Sequence, residues 1–185
     1  MVYKEISQKK SLTVGLLGNP NCGKTTLFNA LTGSHVKVAN WPGVTVERME
    51  GEFSHQNVQI KLVDLPGVYS LDSGSMEEKV SADWLASGEA DVVINVVNAT
   101  ALERNLYLTV QLLEHNIPVV VALNLMDVAA RQGINIDTRI LSEGLGDADV
   151  VPVSARKRTG LEMLLDRVVE AGTESSGREN LMMMR

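Results

Sequence analysis

Eight consecutive residues, Gly18-Asn19-Pro20-Asn21-Cys22-Gly23-Lys24-Thr25, have the types and spacing needed to grip a phosphate chain. They fit the pattern G-x-x-x-x-G-K-[ST] and stand between an apolar run and a helix-like stretch, the setting in which that pattern is informative. Glycine at 18 and 23 lets the backbone wrap closely around an anion. The loop amides, on through Thr26, and the amino terminus of the following helix then face that anion. Lys24 is expected to reach the β- and γ-phosphates, and the Thr25 hydroxyl to ligate magnesium.

A phosphate grip does not choose the base. That choice falls to Asn124-Leu125-Met126-Asp127 at the end of a later apolar run. GTPases normally carry Asn-Lys-x-Asp at this point. The Asp127 carboxylate can accept hydrogen bonds from guanine N1–H and the 2-amino group. Adenine offers neither donor and would leave a desolvated charge unpaired. Leu125 stands where Lys is usual, so an apolar stem alone must cover the base. The competing reading of Asp127 is a helix cap. Ser154-Ala155-Arg156 resembles the Ser-Ala-Lys loop of GTPases, with the Ala155 amide placed to meet guanine O6; a plain strand-to-helix loop accounts for it nearly as well.

Hydrolysis needs further groups. Asp64-Leu65-Pro66-Gly67 fits D-x-x-G: Asp64 would hold magnesium through a water, and the Gly67 amide would read the γ-phosphate. Pro42-Gly43-Val44-Thr45 offers Thr45 as a second hydroxyl for magnesium, with the Gly43 and Val44 backbone beside the nucleotide. Many GTPases place Gln directly after D-x-x-G to orient the attacking water, but here that residue is Val68. No arginine finger, worth roughly 10³ to 10⁵ in rate, is evident in these loops, although Arg48 lies nearby. Asn21 suggests a substitute, because a phosphate-loop Asn here matches GTPases that bind potassium beside the phosphates. Asn21 also reads as a turn former. The expected catalytic set is Asn21, Lys24, Thr45 and Gly67.

The elements that must position these groups alternate along the chain. Apolar runs at 12–17, 92–97, 118–124 and 150–153 read as buried strands, and 46–53 with 58–63 as a hairpin turning at 55–57. Stretches 24–31, 76–86, 102–114, 138–145 and 161–169 read as helices, 34–45 as a loop and 64–75 as a mobile loop. Strands alternating with helices imply an α/β domain whose largely parallel sheet is covered on both faces. Such folds bind ligands at the carboxyl ends of their strands, where every group named above falls. Residues 1–171 form the expected domain, and 172–185 a disordered tail or truncation point.

The 185 residues fit one such domain. No apolar run approaches the ~20 residues of a membrane helix, and residues 1–10 lack the apolar stretch of a signal peptide. The single cysteine, Cys22, excludes an internal disulfide and suits a reducing cytosol. It sits near a helix amino terminus, where a thiolate is favoured, or serves as a small filler. A net charge of −6 without a long basic run argues against broad nucleic-acid binding. His35, His55 and His115 show no ligand spacing, and no iron site is expected.

Taken together, the sequence resembles the amino-terminal G domain of the FeoB family of bacterial ferrous-iron transporters. The resemblance rests on the phosphate loop, on Trp41-Pro42-Gly43-Val44-Thr45-Val46-Glu47, on Asp64 through Gly67 with Tyr69-Ser70-Leu71, and on Glu103-Arg104-Asn105-Leu106-Tyr107-Leu108-Thr109 after Asn95-Val96-Val97. It covers residues 12–169. It implies a Ras-like P-loop GTPase fold with a six-stranded, mostly parallel sheet, one antiparallel edge strand and helices on both faces. It further implies GTP turnover to GDP and phosphate with magnesium and potassium, and a place on the cytosolic face of the bacterial inner membrane. The partner it implies is the transmembrane region of a full-length transporter; it implies no nucleic acid and leaves self-association open. Too few residues follow 171 for the helical spacer usual in that family, so the expectation is a fragment or a family member with that spacer shortened. Two other readings remain: a stand-alone GTPase like the Era and MnmE families, acting on ribosomal or transfer RNA, and a nucleotide sensor whose output is an interface.

Overall fold

The structure, a computed structural model, describes residues 11–33, 36–72 and 74–182. Residues 1–10, read above for a leader, Ser34 and His35 at the start of the expected loop, Ser73, and 183–185 lie outside it. Seven strands form one sheet: β1 Ser11–Gly18, β2 Val36–Asn40, β3 Glu47–His55, β4 Val58–Asp64, β5 Val92–Asn98, β6 Val119–Asn124 and β7 Asp149–Pro152. Their order is β2-β3-β4-β1-β5-β6-β7. β4, β1, β5, β6 and β7 pair in parallel, and β3 runs antiparallel to β2 and β4. The helices are α1 Lys24–Thr32, α2 Met76–Ala86, α3 Leu102–Leu113, α4 Met126–Arg131, α5 Thr138–Gly144 and α6 Leu161–Met182.

The strand period of two divides the core between the two faces. From β1, Leu12, Val14 and Leu16 join Leu27 and Phe28 of α1 and Leu164 and Val168 of α6, while Leu17 turns to the other face. There it meets Val63, Val93, Trp84 and Leu85 of α2, and Leu108 and Leu112 of α3. β5 splits the same way, with Ile94 and Val96 on the first face and Val93 on the second. This two-sided burial is why the parallel strands read as unbroken apolar runs.

The sheet has seven strands rather than six. The antiparallel element expected at one edge is present as β3, and β2 is added outside it, from residues expected as loop. The cause is exposure: Lys37 through Asn40 are exposed, and Val38 is 63% exposed, so β2 has no buried face to impose a hydrophobic alternation. The hairpin turns where expected, on Gln56 and Asn57, both with positive φ (48° and 63°), the two-residue turn whose twist suits antiparallel strands. α4 was not foreseen. α6 runs through residues 172–182, where a tail was expected, because Gly172 is not a stop. A Cβ there would lie 2.8 Å from Leu12 Cδ1, so the glycine is where this helix packs closely on β1.

Candidate nucleotide-binding and catalytic site

The parallel register brings four strand ends to one rim. Gly18 at the end of β1 stands beside Val96 of β5, Leu16 beside Asp64 at the end of β4, and Asn98 beside Asn124 at the end of β6. The loop from Gly18 to Lys24 folds tightly over this rim. A Cβ on Gly18 would stand 2.5 Å from the Val96 carbonyl oxygen and 2.8 Å from Cys22 Sγ. Gly23 has φ 87°, and a Cβ on it would collide with Asn124 Nδ2. Both glycines are therefore demanded by close approach. Asn21 is exposed and takes φ 64°, a left-handed conformation that Asn tolerates better than most residues, which fits its reading as a turn former. Thr25 and Thr26 are exposed in the first turn of α1.

Lys24 Nζ donates to Asp64 Oδ1 at 2.6 Å, joining the phosphate loop to the D-x-x-G segment. Burial pushes the Asp64 carboxyl above its ordinary range, and the Lys24 ammonium acts against that. Gly67 sits against the same loop, where a Cβ would be 3.5 Å from Pro20, and the Val68 N–H donates to the Gly18 carbonyl at 3.2 Å.

Asn124 is wholly buried and works in two directions. Its Nδ2 donates to the Cys22 carbonyl at 3.0 Å, and its Oδ1 accepts from the Ala155 N–H at 3.1 Å. One side chain thus fastens the phosphate loop to the Ser154-Ala155 loop. The Ala155 N–H, expected at guanine O6, is given to Asn124, so a base oxygen would share it. Asp127 lies inside the first turn of α4 rather than at its cap, which belongs to Leu125. Its Oδ1 accepts from Ser154 Oγ at 2.8 Å, and Arg131 stands 3.7 Å from Oδ2. The Ser154 hydrogen bond leads the influences that hold the Asp127 carboxyl below its usual range. Leu125 takes φ 64°, unusual for a branched residue, and half-buries its stem beside Gly23. Arg156 is exposed on the loop that Ser154 and Thr159 close.

A family profile described as "Ferrous iron transport protein B" matches residues 12–168. The Fe(2+) transporter FeoB of Escherichia coli (strain K12) is 54% identical over 159 residues, which make up 84% of this chain and 20% of that protein. The chain belongs to the FeoB family. It corresponds to the amino-terminal G domain, a P-loop GTPase fold, and not to the RNA-acting families weighed above. The G domain of the T. maritima FeoB iron transporter is 45% identical and superposes with a TM-score of 0.82 over 87% of this chain and 98% of that one. The cytosolic domain of L. pneumophila FeoB, 50% identical, gives 0.83 over 86% of this chain and 63% of that one. A point mutant of S. thermophilus NFeoB bound to mGDP is 48% identical, with 0.82 over 86% and 60%. The chain spans about a fifth of the length of the full FeoB relatives it matches. Among the described residues no helix is long and apolar enough to cross a membrane.

The stretch 103–109 makes buried polar contacts that no local sequence pattern marks. Thr109 Oγ1 on α3 donates to Asn95 Oδ1 on β5 at 2.6 Å. Asn105 accepts from the Asn98 N–H at 3.2 Å and donates to the Ala101 carbonyl at 2.8 Å. Asn19 Nδ2 reaches the Arg104 carbonyl at 3.3 Å, so the phosphate loop is tied to α3 as well. The available signal was an Asn inside the otherwise apolar run of β5. Gln111 of α3 accepts from the Leu71 N–H at 3.0 Å and donates to Asp72, so the segment expected as a mobile loop is tethered at its middle.

Thr45 is exposed, as is Gly43 with φ 75°, and Val44 is half-buried. Among the described residues no hydrogen bond or ion pair links residues 41–46 to the phosphate loop. Val68 is 3% exposed and packs in the core near Leu65 and Trp41, which explains an apolar residue at that position. Cys22 is buried and its thiol is pushed up to about 11, chiefly by that burial; it is a filler rather than a reactive thiolate.

Proposed function

We propose that this FeoB G domain binds GTP with magnesium, hydrolyses it to GDP and phosphate, and thereby regulates ferrous-iron transport by a full-length protein. In that protein the domain lies on the cytosolic face of the bacterial inner membrane. The observation that carries the reading is Asn124, which holds the phosphate loop and the Asp127–Ser154 pair on one rim, a spacing that suits a single nucleotide. The loop amides from Gly18 to Thr26 and the Lys24 ammonium hold the phosphates. Asp127 holds the base, Leu125 covers it, and Ser154, Ala155 and Arg156 close that end. The Gly67 amide reads the γ-phosphate, and the Thr45 carbonyl aligns the attacking water.

The proposed magnesium donors are the Thr25 and Thr45 hydroxyls and, through water, the Asp64 carboxylate. All are oxygens, the set a hard divalent cation takes. The Asp64 carboxylate already faces a cation, the Lys24 ammonium, which fits the assignment. A magnesium ion in this place neutralises charge on the phosphates. Asn21 is exposed, and its side-chain oxygen offers one donor for potassium. A potassium ion there supplies the positive charge that Val68 and the lack of a finger leave wanting.

The test compares salts. GTP turnover at matched ionic strength is expected to be at least about tenfold faster in potassium than in sodium chloride, a small fraction of what a finger supplies. Asn21→Ala is expected to bring the potassium rate down to the sodium rate with GDP affinity little changed. Equal wild-type rates in the two salts leave Asn21 as a turn residue only.

A further inference from the structure

Residues 41–46, which present Thr45, form a turn closed on itself. The Trp41 N–H donates to the Val46 carbonyl at 2.9 Å and the Val44 N–H to the Trp41 carbonyl at 3.2 Å. Pro42, Gly43 and Thr45 project outward, while Trp41 is only 5% exposed and Val44 and Val46 pack beside it. The turn is therefore held to the domain chiefly through its tryptophan. Trp41 meets Trp84 of α2 edge to face, with ring centroids 6.4 Å apart at 71°. The Arg48 guanidinium lies over the Trp41 ring, 4.4 Å from its centroid.

Arg48 is itself fixed from two sides. Its Nη2 is 2.6 Å from Glu50 on the same strand and 3.7 Å from Glu89 beyond α2. Glu89 also accepts from the Trp84 Nε1–H at 3.3 Å, which closes a ring of contacts Arg48–Trp41–Trp84–Glu89. Glu50 is held in turn by Lys61 of β4 at 3.1 Å. A planar guanidinium can stack on an aromatic face and bridge carboxylates at the same time; an ammonium cannot do both. With its side chain 17% exposed, this cation lies where a cation–π contact is worth most.

We propose that Arg48 is the positioning residue for Thr45: clamped by Glu50 and Glu89 and stacked on Trp41, it sets the turn that presents the Thr45 hydroxyl to the magnesium of the bound nucleotide. Arg48 acts through Trp41 and does not touch the phosphates. The inference rests on the role proposed above for Thr45.

The chain's two tryptophans are both in this cluster, so intrinsic fluorescence reports on it directly. Arg48→Met keeps the stem and removes the guanidinium. It is expected to make tryptophan emission more accessible to acrylamide, raise the magnesium concentration for half-maximal turnover severalfold, and lower kcat about tenfold with KM for GTP within about twofold. Arg48→Lys, which keeps the charge, is expected to recover part of each change, and Glu89→Gln to show a smaller change in the same direction. These two variants decide the matter if Arg48→Met does not fold. Unchanged magnesium dependence and kcat in folded variants overturn the proposal. So does a loss of kcat with unchanged quenching and no recovery by Lys, which makes Arg48 a group acting on the phosphates. Thr45→Ala in the same assays separates the two levels. If it is impaired while Arg48→Met is normal, only the positioning role fails; if Thr45→Ala itself turns over normally, the role of Thr45 fails.

Discussion

Asp127→Ala is expected to erase a guanine-over-adenine preference of roughly 10⁴, the discrimination reached by sites that hydrogen-bond a group the competitor lacks. The carboxylate is already aimed by its neighbours, with Ser154 donating to one oxygen and Arg131 near the other. Guanine brings two donors to it, whereas adenine brings a lone pair and leaves the charge unpaired. Alanine has nothing to offer either base, so competition binding of GDP and ADP should become nearly equal. Asp127→Asn separates recognition from folding, because an amide oxygen can still accept from Ser154. Its NH₂ group should favour a base with a carbonyl at position 2, such as xanthine. The wild-type preference should also hold flat from about pH 8 down to about pH 5. Asp127 has its pKa lowered from an ordinary value near 4, so it stays ionised across that range and protonates only below it. A preference that decays within that window would mean another group reads the base.

Thr45→Ala should slow GTP turnover roughly 10²-fold, the scale for removing one preorganised group from a transition state. Val68→Ala should leave turnover near normal and lower stability instead. Val68 stands where a water-orienting Gln is common, yet it is buried against the core that holds Trp41. Truncating it opens a cavity costing about 1–3 kcal/mol. Val68→Gln should not rescue catalysis, since it puts an amide into that core. Turnover and thermal melts of the three variants check this, and similar near-normal rates for Thr45→Ala and Val68→Ala would remove Thr45 from the mechanism.

The parts of this site legible in the sequence are those the backbone dictates. Gly18 and Gly23 are forced by atoms that leave no room for a Cβ, and the strand before them and helix after them announce themselves by period. Asp64 and Asn124 end buried strands and Asp127 follows one, so their place on the rim could be read from apolar runs alone. What stayed hidden depends on partners that no local pattern encodes. β2 buries no face. α4 begins at a Leu in left-handed conformation, where no capping residue marks the start. Gly172 reads as a helix stop only until Leu12 is seen against it. Arg48 shows in the sequence only as a charge near the switch loops, whereas the Trp41 ring and two carboxylates that engage it do not show there at all. Asn95 stands inside an apolar run with nothing local to mark its partner, and Thr109, fourteen residues on, makes it a buried link.

The measurement closest to the central claim is phosphate release by the purified chain in magnesium and potassium chloride, with GTP and ATP compared at equal concentration. Phosphate is expected from GTP at a rate at least about 10² times that from ATP, because the base contact and the catalytic groups share one rim. Equal rates from the two nucleotides, or GTP recovered intact from a chain that binds it, would contradict it.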